Sequence, residues 1–179
     1  MGVGARLVAE PGAGVPVSGR TPHIGDRVDY WDDPAAPKPN SRKPSASVLA
    51  RDGGGRVLLL RRTDNGLWTI PTGGLKKRET LRQCAARECL EETGVEIETT
   101  TLVGVFSDPR HVVVYADGEV RAPVNVCFHA SPVGGAMGPT GEASAVAWVD
   151  PVRLGGKEIH PGVRRRIDWG LAHDEPWID

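Results

Sequence analysis

No stretch of this sequence is apolar for long enough to span a bilayer. Its first residues lack a charged segment followed by an apolar one, so no signal peptide is expected and a cytoplasmic protein is. Cysteine is scarce: Cys84, Cys89 and Cys127 are odd in number and show no zinc spacing. That argues against a disulfide framework or a zinc site and predicts reduced, buried thiols. An excess of one charge is missing too, and a net charge of −1 gives no footprint for general nucleic-acid binding. There is no helix-turn-helix segment and no internal repeat. The glycine run Gly53–Gly55 leads into neither a helix nor a lysine, which excludes a Walker-type phosphate loop. What remains is 179 residues, 39% hydrophobic and 25% charged, the make-up of one soluble domain with a real core.

Residues 1–22, rich in Gly, Ala, Val and Pro, have little to bury and are expected as a flexible tail. Residues 23–44 form an arm and a proline-rich linker around Asp29-Tyr30-Trp31-Asp32-Asp33. The aromatic pair is expected to anchor the arm on the core or on a second subunit, a possible homodimer, with base stacking as the alternative. The remainder, 45–175, is the candidate domain. Ala46–Ala50 and Val57–Leu60 read as a hairpin across a glycine-rich turn. Trp68, in the short strand 66–71, is expected in the core. Strands are expected over 99–106, 111–115, 123–130 and 145–149, with an Asp117-Gly118 turn after the second. A final helix is expected over 161–172, with Val163, Ile167 and Leu171 on one face and Pro161 in its first turn.

The chemistry concentrates in Gly73–Val95, GGLKKRETLRQCAARECLEETGV. From Thr80 to Thr93 there is neither proline nor glycine, and Gly94 falls where a helix ends. At about 100° per residue, Glu88, Glu91 and Glu92 share less than half the helix circumference. Like charges so placed repel, and the helix C-terminus disfavours them further. A hard divalent cation such as Mg²⁺ or Mn²⁺ on that face would make the arrangement tolerable. The plain alternative is a solvated acidic face.

Gly73, five residues, Glu79, seven residues, then Arg87-Glu88-Cys89-Leu90-Glu91-Glu92-Thr93-Gly94-Val95 resembles the Nudix box, GX5EX7REUXEEXGU, with Cys89 as a small substitute for the usual aliphatic residue. The resemblance implies an α/β fold, the Nudix-type α/β/α sandwich with a mixed sheet between helices. It also implies Mg²⁺- or Mn²⁺-dependent hydrolysis of a nucleoside diphosphate linked to another moiety, a small-molecule nucleotide substrate. By the same match the metal ligands are Glu88, Glu91, Glu92 and the backbone carbonyl of Thr72. Arg87 holds the glutamates by ion pairing. Glu79 stabilises the loop and helix, where a carboxylate can also cap the N-terminus. Arg61 is the expected phosphate contact. The general base is either Glu91 or Glu142. Many family members carry a glycine, an acid and a glycine where this chain has Thr72, Lys76 and Arg78. Lys76-Lys77-Arg78 reads as an exposed basic loop, with phosphate contact as the alternative.

ADP-ribose hydrolases of the family often carry a proline a short way beyond the box, and Pro109 lies near that place. The resemblance thus implies ADP-ribose or a similar nucleotide sugar first among substrates, followed by nucleoside triphosphates, oxidised ones included. His111 is expected to be structural. A non-catalytic nucleotide-sugar-binding regulator is the reading of another class, and the intact box favours an enzyme. Isomerisation of a prenyl diphosphate needs cysteine and glutamate machinery not identified outside the box.

Overall fold

The computed structural model describes residues 19–22 and 27–179. Most of the tail expected over 1–22 lies outside the described residues, but Gly19–Pro22 forms a strand, β1. The strands that follow are β2 (Arg27–Trp31), β3 (Pro44–Ala50), β4 (Val57–Arg62), β5 (Trp68–Thr69) and β6 (Thr72–Gly74). Helix α1 (Leu81–Thr93) precedes β7 (Val95–Phe106), β8 (His111–Tyr115), β9 (Val120–Arg121), β10 (Val124–Gly135) and β11 (Ala143–Val149). Helix α2 (Pro161–Ala172) and β12 (Trp177–Ile178) close the chain.

The central sheet has the order β12-β7-β10-β3-β6 and is mixed: β10 runs parallel to β3 and antiparallel to β7. Side chains alternate across β3. Ala46, Val48 and Ala50 pack with Cys84, Ala85 and Cys89 of α1, whereas Leu49 packs with Ile167 of α2. The sheet therefore lies between the two helices, as the α/β/α expectation requires. Fully buried Leu49, Leu58, Leu59, Leu60, Ile70 and Ile167 anchor the core. Burial of each such side chain stabilises by about 1.5–3 kcal/mol. All three cysteines are free and buried. No helix among the described residues is long and apolar enough to cross a membrane.

Expectation and structure part at β3 and β4. They are not a hairpin: β4 joins β11 and β5 in a separate sheet, and one bridge, Arg51 to Val57, links the two segments. Val48–Ala50 and Val57–Leu60 are all fully buried. Strands apolar on both faces belong inside layers rather than at a one-sided hairpin. The Asp52 carboxylate, accepting from the N–H groups of Gly54 and Arg56, turns the chain from one sheet to the other. The turn expected at Asp117-Gly118 does form, with Gly118 at φ 87°. It pairs β8 with the short β9, however, and the strand expected over 123–130 runs in the central sheet instead.

The arm belongs to the fold. β2 pairs with β1 and β8 in a third sheet, and Trp31, 5% exposed, packs beside His111 and His160. Of the two anchors expected for the arm, its own chain supplies one. Trp68, expected in the core, is only half-buried and carries Lys157 over its ring at 4.1 Å.

Helix α1 begins with a capping box. Thr80 Oγ1 accepts from the Gln83 N–H (3.2 Å), and Gln83 Oε1 accepts from the Thr80 N–H (2.8 Å). Glu79, a possible cap from sequence, instead pairs with Arg87. Just before it Arg78 sits at φ 64°, a left-handed conformation that costs a side chain about 1–2 kcal/mol. Arg78→Gly should therefore raise unfolding stability by about 1 kcal/mol. A urea titration checks this; an equal or lower midpoint at unchanged slope would contradict it.

Candidate active site

Arg87 is the hub of the box. Its Nε donates to Glu79 Oε1 (2.7 Å), its Nη1 to Glu88 Oε1 (2.6 Å) and Glu91 Oε2 (2.8 Å), and its Nη2 to Glu79 Oε2 (2.9 Å) and the Gly74 carbonyl (3.1 Å). This guanidinium, with the Lys76 N–H, lowers the Glu79 carboxyl to about 2. It also holds Glu91 below the usual carboxylate range, with help from Lys76. Glu91 is exposed and Glu88 half-buried.

Glu92 takes another path. It is 3% exposed, and its Oε2 accepts from the Thr72 N–H at 2.9 Å. Burial pushes its carboxyl up to about 7, against the Thr72 bond and the charge of Arg62, with Glu88 and Glu142 adding repulsion. The Glu88 carboxylate occupies the space that a Cβ on Gly73 would fill, so a side chain there would push Glu88 out of this position. The strand β6, paired with β3 from Ser47–Thr72 to Ser45–Gly74, thus brings Thr72 and Gly73 against Glu92 and Glu88.

Thr72, Gly73 and Gly74 form one edge of a cleft of about 210 Å³. Its other walls come from β2, β8 and β9 (Arg27, Asp29, His111, Tyr115, Arg121) and from the α2 side (His160, Arg166). Arg62 lines it and Arg61 does not. Adjacent strand residues point to opposite faces, and Arg61 turns outward to donate from Nε to the Gly66 carbonyl (2.9 Å). Of the two adjacent arginines, it is Arg62, paired with Asp64, that lines the cleft. Glu142 is exposed on the loop before β11, near enough for its charge to act on Glu92. Pro109 is exposed in the turn after β7 and is not among the cleft residues.

Asp29, His160, Arg121 and Arg166 were not foreseen as site residues. His111 Nε2 lies 3.1 Å from Asp29 Oδ1, and the His111 and His160 rings are 4.6 Å apart. These residues come from elements far apart in sequence. One signal was legible: Arg166 flanks the apolar stripe Val163-Ile167-Leu171 on α2.

The donor set of the box is all oxygen, which fits Mg²⁺ or Mn²⁺. Among the described residues no three His, Cys, Asp or Glu side chains close into a ready-made metal cage. Arg87 draws Glu88 and Glu91 one way while Thr72 holds Glu92 the other. Burial of Glu92 beside the like charges of Glu88 and Glu142 is the setting that a divalent cation on this face would relieve. Without metal, folded Glu92 keeps its proton to about pH 7, whereas the unfolded side chain ionises near 4.5. Metal-free stability should therefore fall as pH rises across that window. Urea titrations in EDTA from pH 5 to 8 should show the fall in the wild type and its absence in Glu92→Gln. Parallel profiles would contradict the burial of an ionisable Glu92.

The NUDIX domain family model matches residues 41–169. A MutT-like protein of Streptomyces ambofaciens is 37% identical over 106 residues, 59% of this chain and 62% of that protein, so under two thirds of its length is spanned. A Bacillus subtilis protein provisionally named 8-oxo-dGTP diphosphatase is 30% identical over 109 residues, 61% of this chain and 67% of that one. Among solved structures, an ADP-ribose pyrophosphatase of Streptococcus suis superposes with a TM-score of 0.60 over 77% of this chain and 98% of its own; at 17% identity it shares the fold. With the box, the sandwich and the match over most of its length in agreement, the chain belongs to the NUDIX domain family.

Proposed function

We propose that this protein is a metal-dependent pyrophosphohydrolase that splits the phosphoric anhydride of a nucleoside diphosphate derivative. The products are a nucleoside monophosphate and a phosphorylated fragment. The observation that carries this reading is the meeting of Glu92 with Thr72, and of Glu88 with Gly73, at the edge of a cation-lined cleft.

Glu88, Glu91, Glu92 and the Thr72 carbonyl would hold Mg²⁺ or Mn²⁺. When bound, the ion neutralises phosphate oxygens and acidifies water. Arg87 orients Glu88 and Glu91 through its forked donors. Arg62 offers positive charge inside the cleft, the part first assigned to Arg61. Of the two bases, Glu142 is favoured. Its charge reaches Glu92, and among the described residues its carboxylate has no ion-pair partner, whereas Glu91 is tied to Arg87 and Lys76. Glu142 accepts a proton as water oxygen bonds to phosphorus. The anhydride P–O bond breaks and its electron pair leaves with the departing phosphate.

A nucleotide sugar such as ADP-ribose is the first substrate reading; Asp29, Ser45 and Asn65 in the cleft offer partners for sugar hydroxyls. A nucleoside triphosphate is the second. It is favoured by Arg166, which has no ion-pair partner among the described residues, whereas the other cations of the lining, Arg27, Lys43, Arg62 and Arg121, are paired with Asp29, Glu119 and Asp64.

Nucleotide sugars, dinucleoside polyphosphates and nucleoside triphosphates assayed with Mg²⁺ and Mn²⁺ should give turnover in one class. Glu92→Gln should abolish it. Glu142→Gln should lower kcat by about 10²–10⁴-fold while metal affinity is retained. Full activity in Glu92→Gln would contradict the ligand assignment, and no turnover in any class would favour the non-catalytic nucleotide-binding reading.

A further inference from the structure

Arg166 lies on α2 with its residue only 6% exposed, and its Nε and Nη1 have no hydrogen-bond partner among the described residues. An arginine cannot shed its charge, and leaving it buried without a counter-ion is costly. Burial lowers its pKa, and among the described residues no carboxylate forms an ion pair with it. Asp29, the carboxylate of the cleft lining, is engaged by Arg27 (2.9 Å) and His111 (3.1 Å).

His160 repeats the pattern beside it. Its Nδ1 accepts from the Gly162 N–H at 3.2 Å, so the ring hydrogen of the neutral form sits on Nε2. That Nε2 is buried and also has no partner among the described residues. Burial, with the neighbouring His111, lowers this imidazole to about 3 and keeps it neutral at pH 7. Both residues line the cleft. The unmet groups of these two residues are three donor nitrogens, with no unmet acceptor among them, and Arg27 Nε, on the β2 wall of the same cleft, is a further buried donor without a partner among the described residues. Such a set calls for a ligand group made of acceptors and carrying negative charge.

We propose that Arg166 and His160 form a phosphate subsite at the α2 end of the cleft, which holds a phosphoryl group of the substrate independently of the metal-binding glutamates. The subsite rests on the hydrolase reading for its biological substrate and not for its binding. A substrate that fills it carries phosphoryl charge beyond what the box carboxylates and their cation engage. Two sources share that chemistry, a polyphosphate chain and a sugar phosphate.

The test uses the full chain in EDTA, with inorganic pyrophosphate and ribose 5-phosphate as separate probes, followed by calorimetry and thermal melting. Wild type should bind at least one probe without metal. Preference for pyrophosphate identifies a polyphosphate source, and preference for ribose 5-phosphate a sugar phosphate. Arg166→Met should weaken binding roughly tenfold or more. Without ligand it should melt at the same or a higher temperature, because it removes an unpaired buried charge; a merely structural arginine would melt lower when lost. Arg166→Lys, which keeps charge without the fork, and His160→Asn should each bind more weakly than wild type, so the proposal does not hang on one variant. No metal-free binding by wild type, or undiminished binding by folded Arg166→Met, would overturn it. Loss of anion binding in Arg166→Met, with no turnover of any substrate by wild type, would reject hydrolysis and leave the subsite standing.

Discussion

Carboxylates crowd one face of α1, and a single guanidinium decides where they go. Arg87 donates at 2.6–3.1 Å to Glu79, Glu88, Glu91 and the Gly74 carbonyl. It thereby ties the start of the helix, its acidic face and the strand at the cleft edge into one body. Charge-assisted, forked bonds of this kind fix direction as well as distance. Because Arg87 gathers the carboxylates beside it, Glu92 one turn on is left to burial and to the Thr72 N–H. The remaining geometry follows. Glu88 sits in the space that Gly73 leaves by lacking a side chain, and the pairing of β6 with β3 brings Thr72 to Glu92.

The two helices differ in their unmet charge: α1 stands behind the Thr72–Gly74 edge of the cleft, and the α2 side lines it directly. On the α1 side the unmet need is for positive charge: Glu88 and Glu142 both push the buried Glu92 toward its protonated form. On the α2 side the unmet need is negative: Arg166 and His160 present donors without acceptors. The proposed substrate, a phosphoanhydride accompanied by a divalent cation, would answer both needs at once. The N-terminal arm contributes by closing the wall between them, with Asp29 and Arg27 on β2 and Trp31 packed against His160.

Much of α1 was legible because its information is local. The run without proline or glycine, the terminal Gly94 and the spacing of Glu88, Glu91 and Glu92 need no tertiary partner to be read. The capping role of Thr80 and Gln83 was equally local and was passed over in favour of Glu79. The pairing of β3 and β4 was not legible, since two apolar runs joined by a tight turn look alike whether they share a sheet or leave it; burial on both faces decided the matter. Arg61 and Arg62 differ only in which face they present, which the register of β4 against β11 settles. The α2 side of the cleft was the least visible. Asp29, His111, His160 and Arg166 are brought together by packing of distant elements, and no motif joins them.

Binding of a divalent cation to the α1 carboxylates is the claim on which the account stands. The direct measurement is the free Mn²⁺ paramagnetic resonance signal during titration into the metal-free protein at neutral pH. The account predicts saturable loss of the free signal with wild type, displaced by Mg²⁺, and a much weaker loss with a Glu88→Gln, Glu92→Gln double variant of unchanged fold. Equal depletion by both proteins, or none by wild type, would contradict it.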